Sequence, residues 1–348
     1  MSAATAYGVL FWVTLVILLT MIGISVYAIL KVESDLKTGF SQGCNANYAW
    51  AKANPSVANY WSKGFSMPTA FDPNLALACI YCNAMTAGLQ CQSNLVTPAG
   101  MSLVTSLQTM GETMGTVLSG TVEVEGTNAT VMIVSWRGTE TLKDVQVDAN
   151  EKLVNYPAPN SGQVHAGFLK AYQGARNQLL SVIESMKPEY VFVTGHSLGA
   201  AIATLAAYDL ALSKLVPAQN IVVVPVASPK VGNVAFAEAY QSQPIANQTF
   251  IVCNAFDFVP TLPFVTSYVH VLQPHSFALE AAWTQYGNES NGNHLMPVYA
   301  QAMIENIAGK CDVAALTCTN ESVAAYAGGG ARRPRTNRLA KVMRRIAF

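Results

Sequence analysis

The sequence predicts an α/β chain built on a mainly parallel central sheet flanked by helices. Apolar, β-rich runs at Val191–Val193, Asn220–Ala227 and Thr249–Asn254 alternate with helical stretches at Leu198–Leu212 and Val234–Gln241, the pattern of parallel strands joined by helical crossovers. Thr116–Glu125 and Ala129–Trp136 alternate apolar and polar residues around Gly126-Thr127-Asn128, which is a hairpin signal. The third observation is Gly195-His196-Ser197-Leu198-Gly199, with a buried-strand run before it and an alanine-rich helix after it. A serine on such a tight turn projects its Oγ away from the sheet, and flanking glycines remove the Cβ atoms that would collide there. The same turn aims the first backbone N–H groups of the helix at the place where charge develops on an attacked carbonyl. Ser197 is therefore a candidate nucleophile and Leu198 a candidate oxyanion donor, set against the plainer alternative of a glycine-flanked turn with a capping serine.

The 348 residues suit one catalytic domain with appendages, and 51% hydrophobic against 11% charged residues suits a large core plus a membrane segment. The net charge of zero hides an asymmetry. Seven of the 20 basic residues lie between Arg332 and Arg345 with no acid among them, leaving 13 basic against 20 acidic residues elsewhere. A basic cluster found only at a glycine-preceded terminus, without interleaved aromatics, argues against nucleic acid as a partner. Cys79 and Cys82 form one C-x-x-C, but no second pair at ligand spacing follows, so a metal site is not expected. Five or six of the seven cysteines (Cys44, Cys79, Cys82, Cys91, Cys253, Cys311, Cys318) are expected in disulfides of an oxidising compartment, with Cys311 and Cys318 able to close a short loop.

In chain order, residues 1–30 carry no charged side chain, and Tyr7–Leu30 is long enough to span a bilayer. They read as a transmembrane signal anchor or, with Val26-Tyr27-Ala28 as a cleavage site, a long signal peptide. The lysines that follow would retain the body in the cytoplasm. The cysteines and the glycosylation tripeptides at Asn128, Asn247, Asn288 and Asn320 favour the other side. The expectation is a single-pass membrane protein with its catalytic domain luminal or extracellular, secreted if residues 1–28 are cleaved. Residues 31–110 read as a cysteine-containing cover with a helix over Pro73–Leu89, residues 111–325 as the catalytic domain, and residues 326–348 as a basic tail. Leu339, Val342 and Ile346 give that tail helical spacing suited to anionic lipid, against the alternative of a solvated end.

Gly138 and Thr139 follow the strand ending at Trp136, where a backbone N–H and a hydroxyl can meet one oxygen; a strand-ending turn with a threonine cap is the competing reading. His165, before the next helix, reads as a buried structural residue. Asp257 follows a strand end, where a carboxylate can accept the Nδ1–H of a histidine. His294 lies in a loop rich in glycine and asparagine and is preferred as the base over His270 and His275. The order serine, aspartate, histidine is that of α/β-hydrolases.

Val134–Thr139, Val164–Phe168, the Gly195–Gly199 turn, Ser228–Asn233 and Asp257–Pro263 together resemble the class 3, or fungal-type, lipase family. The resemblance covers roughly residues 116–308. It implies an α/β-hydrolase with nucleophile Ser197, acid Asp257 and base His294, an oxyanion hole of Thr139 and Leu198, and a lid after Thr139. The family's lid commonly carries a tryptophan, whereas Glu140–Asn150 has no aromatic residue. The expected function is a serine ester hydrolase that releases fatty acid from acyl lipids through a Ser-His-Asp triad and an acyl-enzyme, without cofactor. A phospholipase or lysophospholipase with the same triad, or a non-catalytic lipid-binding protein, is the alternative.

Overall fold

The computed structural model describes residues 47–89, 96–109, 111–138, 152–279 and 292–309, and the backbone of 311–312 and 317–318. A short helix over 47–53 and two 3₁₀ turns lead into α1 (Pro73–Gly88). Asp72 caps α1 by accepting the Asn74 N–H at 2.8 Å, and Pro73 occupies the first turn, where no N–H is needed. The edge of the sheet follows as β1 (Ser102–Thr109), β2 (Glu112–Val124) and β3 (Thr127–Trp136). The predicted hairpin is β2–β3: Val124 pairs with Thr127 around Glu125 and Gly126, both at positive φ. Asn128 lies exposed one residue into β3.

A small ribbon of β4 (Leu153–Asn155) and β5 (Gln163–His165) precedes α2 (Ala166–Met186). Then come β6 (Tyr190–His196), α3 (Leu198–Ser213), β7 (Ile221–Val226), α4 (Val234–Gln241), β8 (Val252–Asn254), β9 (His275–Phe277) and α5 (Met296–Ile307). Last, β10 (Cys311–Asp312) pairs with β11 (Thr317–Cys318), Cys311 opposite Cys318. The main sheet has seven strands in the order β1-β2-β3-β6-β7-β8-β9. β1 to β3 are antiparallel, and β3 onward are parallel.

Both faces of the parallel part are covered, which is why its strands read as continuous apolar runs. On one face Ile133, Phe192, Val222 and Val224 pack with α1 and α5; on the other Val134, Val191, Val193 and Val223 pack with α2 and α3. Alternate residues of β6 and β7 thus serve opposite cores. α1 is apolar on every side and buried from Leu75 to Gly88. Asn83 ties it to the sheet by donating to Thr194 Oγ1 at 3.1 Å and accepting from Ser135 Oγ at 2.9 Å.

One expectation changes here. Cys79, Cys82 and Cys253 are free and buried, so at most four of the seven cysteines remain for disulfides, not five or six. Cys79 and Cys82 face the packed interior of α1 as small apolar side chains, and burial pushes the Cys82 thiol up to about 12. The expected transmembrane span over residues 1–30 and the basic tail lie outside the described residues. No helix among the described residues is long and apolar enough to cross a membrane.

Candidate active site

β6 delivers the chain to Ser197 at φ 59° and ψ −127°, a conformation that costs a non-glycine residue about 1–3 kcal/mol. Neighbours hold it there. The Ser197 N–H donates to Val226 O and the Ser197 carbonyl accepts from Ala200 N–H, both at 3.0 Å. A Cβ on Gly195 would sit 2.2 Å from Gly199 O, and one on Gly199 would sit 2.3 Å from Trp136 O. Only glycine lets the strand, the helix start and the end of β3 approach this closely. A Cβ on Gly138 would be 3.2 Å from Ser197 Cβ, so the exit of β3 runs beside the serine. Thr139 itself lies outside the described residues. Leu198 opens α3, where the first N–H groups have no intrahelical acceptor.

Asp257 follows β8 and is 3% exposed. The Nδ1–H of His294 donates to its Oδ2 at 2.7 Å, and the Val259 N–H donates to its Oδ1 at 3.0 Å. With Nδ1 committed to the carboxylate, Nε2 of a neutral His294 is left as the basic nitrogen. The segment carrying His294 is held from two strand ends and from the short helix over 47–53. His196 Nε2–H donates to the His294 carbonyl at 2.8 Å, Asn254 Nδ2 donates to the Asn293 carbonyl at 3.3 Å, and the Met296 N–H donates to Asn47 Oδ1 at 3.3 Å. The rings of His196 and His294 are 4.5 Å apart. Burial first, and the adjacent His294 second, push the His196 imidazole far down, so it stays neutral.

Asp257 and His294 are therefore bonded at the same sheet edge as Ser197, and His196, next to the serine in the chain, grips the His294 backbone. The other histidines have different work. His165 Nδ1 accepts the Gly167 and Phe168 N–H groups at 3.1 and 3.4 Å and caps α2, the structural role expected for it. His270 donates from Nε2 to Pro260 O at 2.9 Å, steadying the turn after Asp257. His275 stacks on Phe71, ring centroids 4.6 Å apart. Sequence reasoning missed the contacts of His196, Asn254 and Tyr299; only His196, inside the glycine-flanked pentapeptide, had a local signal. Among the described residues no cluster of His, Cys, Asp or Glu could hold a metal ion.

The family model described as lipase (class 3) matches residues 133–267, which span the end of β3, the Ser197 turn and Asp257. Over residues 133–267 the chain is thus similar to the class 3 lipase family. The chain is 32% identical over 197 residues to a lipase of Rhizopus niveus, covering 53% of this chain and 47% of that one. It is 32% identical over 158 residues to secreted mono- and diacylglycerol lipase A of Penicillium cyclopium, covering 44% and 50%. It is 31% identical over 175 residues to the chloroplastic phospholipase A1-Igamma2 of Arabidopsis thaliana, covering 41% and 32%. The chain thus spans about half the length or less of these relatives. Among solved structures, a lipase from Rhizopus microsporus var. chinensis aligns with TM-score 0.46 and 23% identity over 56% of this chain and 70% of that one. The expected single-pass membrane placement is corrected: no described helix could cross a bilayer, and one lipase relative is named as secreted.

Proposed function

We propose that the protein is a carboxylic ester hydrolase that releases fatty acid from acyl lipids. The observation that carries this reading is the strained Ser197 turn at the same sheet edge as the buried, 2.7 Å Asp257–His294 pair. In the proposed mechanism His294 Nε2 takes the Ser197 proton as Oγ attacks the ester carbonyl. Asp257 holds the imidazole in the required tautomer and stabilises the imidazolium. The Leu198 N–H, with Thr139, receives the oxyanion of the tetrahedral intermediate. The imidazolium then protonates the leaving alcohol, and water activated by the same histidine releases the acid from the acyl-enzyme.

The substrate class is supported by the relatives, whose names cover mono- and diacylglycerols as well as the phospholipid ester cut by a phospholipase A1. All present the same chemistry to the same three groups, so acylglycerols and phospholipids are assayed together. In a fatty-acid release assay on both classes, wild type is expected to turn over at least one, and Ser197→Ala to lose turnover while keeping its thermal midpoint. A fluorophosphonate probe should label wild type and not the variant. A folded wild type that neither hydrolyses nor labels would leave a non-catalytic lipid-binding protein.

A further inference from the structure

Tyr299 lies in α5, the helix that begins just after His294, and is fully buried. Its hydroxyl lies 2.7 Å from Asp257 Oδ2, the same oxygen that accepts the Nδ1–H of His294 at 2.7 Å. The Tyr299 oxygen also accepts the Asn254 N–H at 3.1 Å. A backbone N–H can only donate and a carboxylate can only accept, so the two neighbours fix the direction of the phenol proton. Burial and the charge of Asp257 push the phenol up, keeping it a donor. The ring is wedged edge-on against Phe277, with centroids 5.2 Å apart.

We infer that Tyr299 is a positioning residue that sets how strongly Asp257 acts on His294. Two donors share one carboxylate oxygen, and each drains charge from it. Without the hydroxyl, the charge at Oδ2 falls on the His294 imidazolium alone, which favours the protonated ring. A protonated ring cannot accept the serine proton. Tyr299 therefore extends the activity of the base toward lower pH, and through Asn254 it also fixes the turn on which Asp257 stands. Among the described residues, the other ionisable groups facing the pair are His196 at the end of β6 and Cys253 on β8. Burial holds both neutral, pushing the imidazole down and the thiol up.

This inference rests on the hydrolase reading, and its test has one arm that needs no turnover. In full-length protein, the kcat/KM of p-nitrophenyl butyrate hydrolysis is followed from about pH 4 to about pH 9. Tyr299→Phe should move the acidic limb up by about half to one pH unit, with kcat on the plateau down about 3- to 10-fold and KM within about twofold. Placing 3,5-difluorotyrosine at position 299 strengthens the donor and should move the limb the opposite way, which keeps the test decisive where the phenylalanine variant is unstable. Proton NMR of the His294 ring should show the same upward shift of its titration in Tyr299→Phe, whether or not the protein turns over ester. An unchanged limb and NMR titration in a folded Tyr299→Phe protein would overturn the role of Tyr299. Absent turnover in wild type with a shifted NMR titration would overturn the hydrolase reading alone.

Discussion

Gly199 has no room for a side chain. Its missing Cβ would fall 2.3 Å from Trp136 O and 2.5 Å from Arg137 O, backbone atoms that cannot swing aside. Gly199→Ala must push α3 away from the end of β3, at an overpacking cost of about 1–3 kcal/mol. It also moves Gly138 relative to Ser197, so urea unfolding should show the loss of stability and ester turnover should fall well beyond it. Wild-type turnover in the alanine variant would show that the exit of β3 does not set the geometry at Ser197. This constraint was legible in the sequence, because a glycine-flanked serine between a strand and a helix encodes a close approach within a few residues. The carboxylate and its histidine were legible as candidates from their order and loop context. Tyr299 and Asn254 were not, because their contacts join β8 to α5 across the fold and leave no spacing signal in the chain.

α1 shows a different limit of legibility at the scale of an element. Its helix reads from the sequence over Pro73–Leu89, one residue past the end at Gly88, and its cysteines suggest cross-links. The structure instead makes it an interior layer, buried on all sides between the sheet and α5. Within that layer Asn83 supplies the polar specificity: it donates to Thr194, which itself donates to Val224 O at 2.7 Å, and accepts from Ser135. Asn83→Ala leaves the Ser135 hydroxyl without its acceptor in a buried site, which costs about 1–3 kcal/mol. A urea midpoint lowered accordingly is expected, with little change in the acidic limb of activity because Asn83 touches neither Asp257 nor His294. An unchanged midpoint would mean that α1 is held by apolar contact alone.

For the whole molecule, buried histidines set a pH dependence that neither composition nor net charge reveals. The alternation of strands and helices was enough to predict the parallel sheet; which histidines lose their water depends on packing between distant segments. His196, His270 and His275 are all pushed down, chiefly by burial. The unfolded chain therefore binds protons at these positions before the native protein does. Stability is undiminished above the unfolded value of about 6.5; as the pH falls below it toward the native value, His196 and His270 can each subtract up to about 1.4 kcal/mol per pH unit, and the half-buried His275 less because solvent screens it. Carboxylate titration belongs nearer pH 4, so the window from about pH 6.5 to about pH 5 isolates the histidines. Urea midpoints measured across that window should decline steadily. In His196→Gln, which removes the most deeply buried of the three rings, the slope should be shallower even where the absolute stability is lower. A midpoint flat from about pH 6.5 to about pH 5 in wild type would mean that these rings accept protons without leaving their packed positions.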